Sequence, residues 1–156
     1  MTGRDIAMKF LRRSGELFLL DLSHVPEAQY AQVQGVAGRS PQDFVGEVVG
    51  FNQLVIESLR TGRFPRPDAE ARAALVARLS TIPVAADAFR QSVDALVEEF
   101  AKASDEELTK RVVAPWGERL SLLELVHDTA VHINYHGAQL AYVQALHGDG
   151  VNHWRD

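Results

Sequence analysis

His132 and His136 stand four residues apart in the stretch Val131-His132-Ile133-Asn134-Tyr135-His136-Gly137-Ala138-Gln139, which is patterned as a helix. An α-helix advances about 100° per residue, so side chains at i and i+4 share a face with Cβ atoms about 6 Å apart. Two imidazoles so placed can bind one transition-metal ion. They cannot close such a site, and a third ligand has to come from a facing helix. Glu47 is the candidate, set among Phe44, Val45, Val48, Val49 and Phe51. A carboxylate amid that much apolar surface is expensive to bury alone, and coordination would compensate it. Gly46 and Gly50 lie on either side of it and let another backbone come close, each at a cost of roughly 1 kcal/mol of helix propensity against Ala. His132 is followed by Ile133, not by the Glu that a His-Glu-x-x-His zincin helix needs. This argues against a metalloprotease and leaves no catalytic residue identified.

Other polar residues near the pair each have two readings. Asp128, four residues before His132, either orients that ring as a hydrogen-bond acceptor or is a solvated carboxylate. Gln139, three residues after His136, either bonds near the site or packs plainly, and Asn134 and Tyr135 serve either a substrate or an interface. His127 lies about 140° round the helix from His132 and reads as a surface residue, as do His24, His147 and His153 in connectors or the tail. Trp116 is expected to plug the bundle end, and Trp154 to lie in a tail that is disordered or packs on a partner.

The elements that must position these residues are helical. Ile6, Phe10, Leu11, Leu17 and Leu20 fall at helical spacing over Asp5 to Leu22. Residues 23–39 hold Pro26, Gly35 and Gly38 and read as a connector, with a turn of helix around Pro26 to Tyr30. Ser40-Pro41-Gln42-Asp43 starts a second helix that runs to about Arg60, because it combines an N-cap hydroxyl, Pro at the first position and an early carboxylate. Gly62, Pro65 and Pro67 end it, and Asp68 caps the next. Ala69 to Ala103 is helical almost throughout, with Pro83 kinking or splitting it. A short turn opens at Ser104, and Arg111 to Leu120 is irregular or briefly extended. Ser121-Leu122-Leu123-Glu124 is then a capping box for a helix reaching about His147. Four long helices without an alternating strand pattern predict an all-α four-helix bundle, one domain over residues 1–156.

At this level the chain resembles the DinB-like superfamily, which includes bacillithiol S-transferases and mycothiol-dependent maleylpyruvate isomerases. The resemblance is carried by Arg39-Ser40-Pro41-Gln42-Asp43-Phe44-Val45-Gly46-Glu47, by Ala114-Pro115-Trp116-Gly117, and by His132 and His136 followed by Gln139. It implies four helices around a divalent metal, held by a His on the second helix and a His pair on the last. Carried over, the ligands are Glu47, His132 and His136, with a carboxylate where relatives usually have an imidazole. Two His and one carboxylate with open positions suit Zn, Ni, Mn or Fe(II). The final motif often reads His-His-Arg-Gly-Gln, and its Arg is absent from Tyr135-His136-Gly137-Ala138-Gln139.

The resemblance implies a metal-dependent hydrolase or thiol S-transferase acting on a small molecule, with a low-molecular-weight thiol as a candidate cofactor. The alternative is a non-catalytic metal-binding or stress-response bundle with a structural or sensory ion. A third reading is a dimerising scaffold without metal, favoured if Glu47 faces solvent. A homodimer fits the resemblance, with the Ala-rich third helix as a surface.

Bulk properties agree. With 16 Lys and Arg against 21 Asp and Glu, the net charge is −5, which disfavours a nucleic-acid partner. The absence of cysteine removes disulfides, thiolate ligands and a Cys nucleophile, and makes the cytoplasm the default location. Leu17 to Leu20 is too closely flanked by charge for a signal peptide or membrane span, so no targeting segment and no membrane partner are expected.

Overall fold

The computed structural model describes residues 2–36 and 38–155. Four helices dominate: α1 (Gly3–Ser23), α2 (Pro41–Thr61), α4 (Ile82–Lys102) and α6 (Leu122–Leu146). Shorter α3 (Ala69–Arg78) and α5 (Asp105–Leu108), and a hairpin of β1 (Arg111–Val113) and β2 (Arg119–Ser121), fill the intervals. The long helices pack α1 on α6, α6 on α2, α2 on α4 and α4 on α1. Helices α1 and α2 therefore stand at opposite corners, and the connector between them has to cross the bundle end.

That connector is anchored rather than loose. Tyr30 is buried and its hydroxyl donates to the Leu79 carbonyl at 2.9 Å, while the Gln42 amide donates to the Tyr30 carbonyl at 3.0 Å. A 3-10 turn at Glu27–Gln29 matches the helical turn expected there.

The helix starts follow their sequence signals. Ser40 Oγ accepts from the Asp43 amide and Asp43 Oδ2 accepts from the Ser40 amide, a reciprocal cap with Pro41 behind it. Ser121 and Glu124 do the same for α6. Gly62 ends α2 at φ 69°, in the left-handed region where glycine carries no Cβ penalty. The predicted helix over 69–103 is divided. Its break falls at Leu79, and Pro83 sits in the first turn of α4 under a Thr81 cap, where a missing N–H costs nothing. The extended crossing at 111–120 is a three-residue antiparallel hairpin pairing Val112 with Leu120, too short to show alternation in sequence.

Phe18, Phe89, Phe100, Leu11, Leu22, Leu96, Leu125 and Ile133 are among the large side chains closed off from water in the core. Helix α3 stands apart from it, with Leu75 its one buried residue. Among the described residues no helix is long and apolar enough to cross a membrane.

Candidate metal centre

Helix α6 carries His132 and His136 toward α2, and α2 carries Glu47 toward them. The two Nε2 atoms stand 3.1 Å apart, and Glu47 Oε1 lies 3.6 Å from Nε2 of His132 and 3.5 Å from Nε2 of His136. Among the described residues this is the one group of three or more His, Cys, Asp or Glu side chains placed to share an ion. Glu47 faces the imidazoles, so the observation that would have favoured a metal-free scaffold is not met.

Gly46 lets α3 come close to α2, which brings Arg72 within reach of Glu47. A Cβ on Gly46 would lie 2.4 Å from Cγ2 of Val76, an impossible separation, whereas one on Gly50 would make ordinary contact with Leu75 at 3.6 Å. Of the two glycines expected to permit close approach, Gly46 is required by space. Gln42 Nε2 fastens the same junction by donating to the Val76 carbonyl at 2.8 Å.

Neighbouring side chains pack and bond around the three residues. Nδ1 of His136 donates to Gln139 Oε1 at 2.6 Å, and Gln139 in turn donates to the Tyr135 hydroxyl at 3.4 Å. Phe44 stacks on the His136 ring and Phe51 meets the His132 ring edge-on at 4.7 Å. Glu47 Oε2 points away from the imidazoles and accepts from Arg39 at 2.5 Å and from Arg72 at 2.7 Å. One carboxylate oxygen thus serves two guanidinium groups and the other faces two rings.

The charge states follow. Burial, reinforced by the adjacent His136, pushes the His132 imidazole down to about 4, and Glu47 opposes only part of this. His136 is also lowered, by burial above all, against the bond to Gln139 and the charge of Glu47. Burial alone would raise the Glu47 carboxyl. Hydrogen bonding and charge from Arg39, with His136 and Arg72 assisting, bring it below its ordinary value. At neutral pH the group is two neutral imidazoles and one carboxylate.

Glu47 and His132 open onto a cavity of about 850 Å³ between α2, α3, α6 and the hairpin turn. Phe51, Leu54, Leu75, Pro115, Trp116 and Val131 supply its apolar wall.

Several expectations are corrected here. Trp116 does not plug the bundle. It is half-exposed, lines the cavity, stacks at 6.3 Å on Phe51 and donates to Glu118. Trp154 is neither loose nor reserved for a partner, since its Nε1 donates to the buried carboxylate of Asp21 at 3.0 Å. His24 and His153 are not separate surface residues, because their rings stack at 3.6 Å and His153 bonds to Asp149. Of the two readings of Asp128 the solvated carboxylate holds: among the described residues it makes no bond to His132, whose Nδ1 is buried there without a partner. The Asp128 carboxylate lies 3.7 Å from Nδ1 of His127. His127 is exposed and stacks on Phe10, as a surface residue would. Arg39 was visible only as part of a motif, and Arg72 had no sequence signal, since it reaches Glu47 from 25 positions away on another helix.

Residues 10–140 match the DinB superfamily. The chain belongs to that superfamily. Its fold is similar to that of a mycothiol-dependent maleylpyruvate isomerase, at 17% identity and a TM-score of 0.73 over 88% of this chain. This chain spans only 60% of that isomerase's length. It is also similar to an uncharacterised protein from Clostridium difficile 630 (13% identity, TM-score 0.68) and to the colibactin self-resistance protein ClbS, solved in complex with a dsDNA (14% identity, TM-score 0.71). Each of these alignments covers 91% of this chain and 95% of the other. Among curated proteins, none matches this sequence.

Proposed function

We propose that this DinB superfamily member is a divalent-metal-dependent enzyme acting on a small molecule, by hydrolysis or by transfer to a thiol, with Glu47, His132 and His136 as the metal ligands. The observation that carries the reading is the triangle of donor atoms, with edges of 3.1, 3.5 and 3.6 Å. Ligands about 2.0–2.1 Å from a zinc-like ion at tetrahedral angles stand about 3.3 Å from one another, so the residues fit the group. Their chemistry fits as well. With Nδ1 of His136 engaged by Gln139, its Nε2 lone pair is free and aimed at Nε2 of His132 and Oε1 of Glu47.

A bound divalent ion would supply Lewis acidity and lower the pKa of a coordinated water or thiol. The protein's own contribution is orientation. Gln139 fixes one ring, and Arg39 and Arg72 direct Oε1 inward by occupying Oε2. Phe44 and Phe51 limit water around the imidazoles. Glu47 and His132 face the cavity, so an ion they held would be within reach of a substrate there, which favours an enzyme over a closed structural site. Zinc and nickel both suit this ligand set. The likeness to a mycothiol-dependent isomerase supports testing a thiol. The net charge of −5 keeps nucleic acid outside the reading, despite the dsDNA in the ClbS structure.

The test is metal analysis of the wild-type protein beside His132→Ala, His136→Ala and Glu47→Ala. The wild type should hold about one ion per chain, and each variant should lose it. Stoichiometric metal in all three variants, or none in the wild type after metal addition, overturns the assignment. Turnover of electrophilic substrates with added low-molecular-weight thiols then separates transfer from hydrolysis.

A further inference from the structure

We propose that the cavity beside the triad binds an apolar organic anion, an aromatic or similarly flat body carrying one carboxylate, and that Arg66 and Arg72 hold the anionic group. The inference rests on reading this cavity as the substrate chamber of the metal centre. Its size, about 850 Å³, is that of a chamber for a drug-sized molecule.

The apolar half of the argument is the wall. Phe51 and Trp116 lie with ring centroids 6.3 Å apart and an interplanar angle of 28°, and both face the cavity with Leu54 and Leu75. Trp116 is 52% exposed, which leaves its ring face available to a ligand. Flat apolar molecules gain both area burial and stacking against such a surface.

The charged half is a pair of guanidinium groups on the cavity wall, Arg66 and Arg72. Glu47 Oε2 is shared by Arg39 and Arg72, and one carboxylate balances one of them. Arg72 lines the cavity and its side chain is half exposed. Arg66 lines it too, and no ion pair among the described residues engages it. Two other carboxylates border the cavity. Asp68 Oδ1 is occupied by the amides of Glu70 and Ala71 at the start of α3, and Asp128 lies on α6 beside His127. Arg72 therefore exchanges Glu47 for the ligand's carboxylate, Arg39 keeps Glu47 in place, and Arg66 completes the anion site. Guanidinium groups suit this role because their planar forks match a carboxylate.

The experiment is calorimetric titration of the metal-free protein with naphthoate and with its uncharged analogue naphthalenemethanol. Naphthoate should bind one per chain and at least about tenfold more tightly. Arg66→Gln and Arg72→Gln should each lower naphthoate affinity about tenfold and leave naphthalenemethanol unchanged. Arg66 holds no ion pair among the described residues, so its variant stays informative even if Arg72→Gln unfolds. Equal binding of the two molecules, no binding of naphthoate, or a preference that survives both substitutions overturns the inference. Zinc titrations of the same samples keep the two readings apart. Discrimination between the naphthalenes without zinc binding counts against the metal centre alone, and zinc binding without discrimination counts against this anion site alone.

Discussion

Gln139 accepts a hydrogen bond of 2.6 Å from Nδ1 of His136 within one turn of α6. The bond selects the tautomer in which Nε2 keeps its lone pair, and His136 is almost wholly enclosed, so no solvent substitute is at hand.

Gln139→Leu should consequently weaken zinc binding by about tenfold or more while helicity is retained. Competition with a chromophoric chelator measures this directly. An unchanged affinity would show that the ring is held by packing against Phe44 and Tyr135 instead.

Gly46→Ala should lower stability by about 1–3 kcal/mol, because the new methyl would drive Val76 and its helix outward. The displacement should also draw Arg72 off Glu47. Adding Val76→Ala removes the clashing methyl and should restore part of the loss, a coupling that urea denaturation of the two single variants and the double variant would read.

Asp21 gives the clearest dependence on pH. It is 2% exposed, and burial raises its carboxyl from 3.8 to about 6, against the bond from Trp154 and the charges of His153 and His24. Because the folded pKa exceeds the unfolded one, the native state binds more protons between about pH 4 and pH 6, and stability falls as pH rises through that window. Asp21→Asn removes this term. Its stability relative to wild type should grow by about 1 kcal/mol from pH 5 to pH 7 in urea titrations of the metal-free protein, and a constant difference would mean that the carboxylate ionises freely.

Trp154→Phe removes the only side-chain or backbone donor to that carboxylate among the described residues. At pH 7 the loss should be about 1–3 kcal/mol. In an Asp21→Asn background it should shrink, since a neutral amide tolerates a missing partner better than a buried charge does.

The sequence announced what is local. Ser40, Pro41 and Asp43, and Ser121 with Glu124, encode their helix starts within four residues, and the i, i+4 spacing of His132 and His136 encodes a shared face. Glu47 was accessible because its apolar surroundings made an unpartnered carboxylate costly. Arg72 was not, since its relation to Glu47 depends on how α3 leans on Gly46. Trp154 was missed for the same reason: its partner Asp21 lies 133 positions away, and the bond forms only after the chain folds back on α1. Trp116 lies within the 114–118 connection of a hairpin whose strands are too short to carry a period, so its direction had no local determinant.

Helix α3 has one buried side chain and lies outside the four long helices, yet it supplies Arg72, Leu75 and Ala71 to the cavity. On the proposed reading, the metal donors lie on α2 and α6, while α3 helps to choose the organic ligand. A library randomised over the exposed positions of 69–78, with Leu75 and Val76 kept, could be screened for altered ligand preference while α2 and α6 stay untouched, making this segment the natural handle for re-engineering the protein.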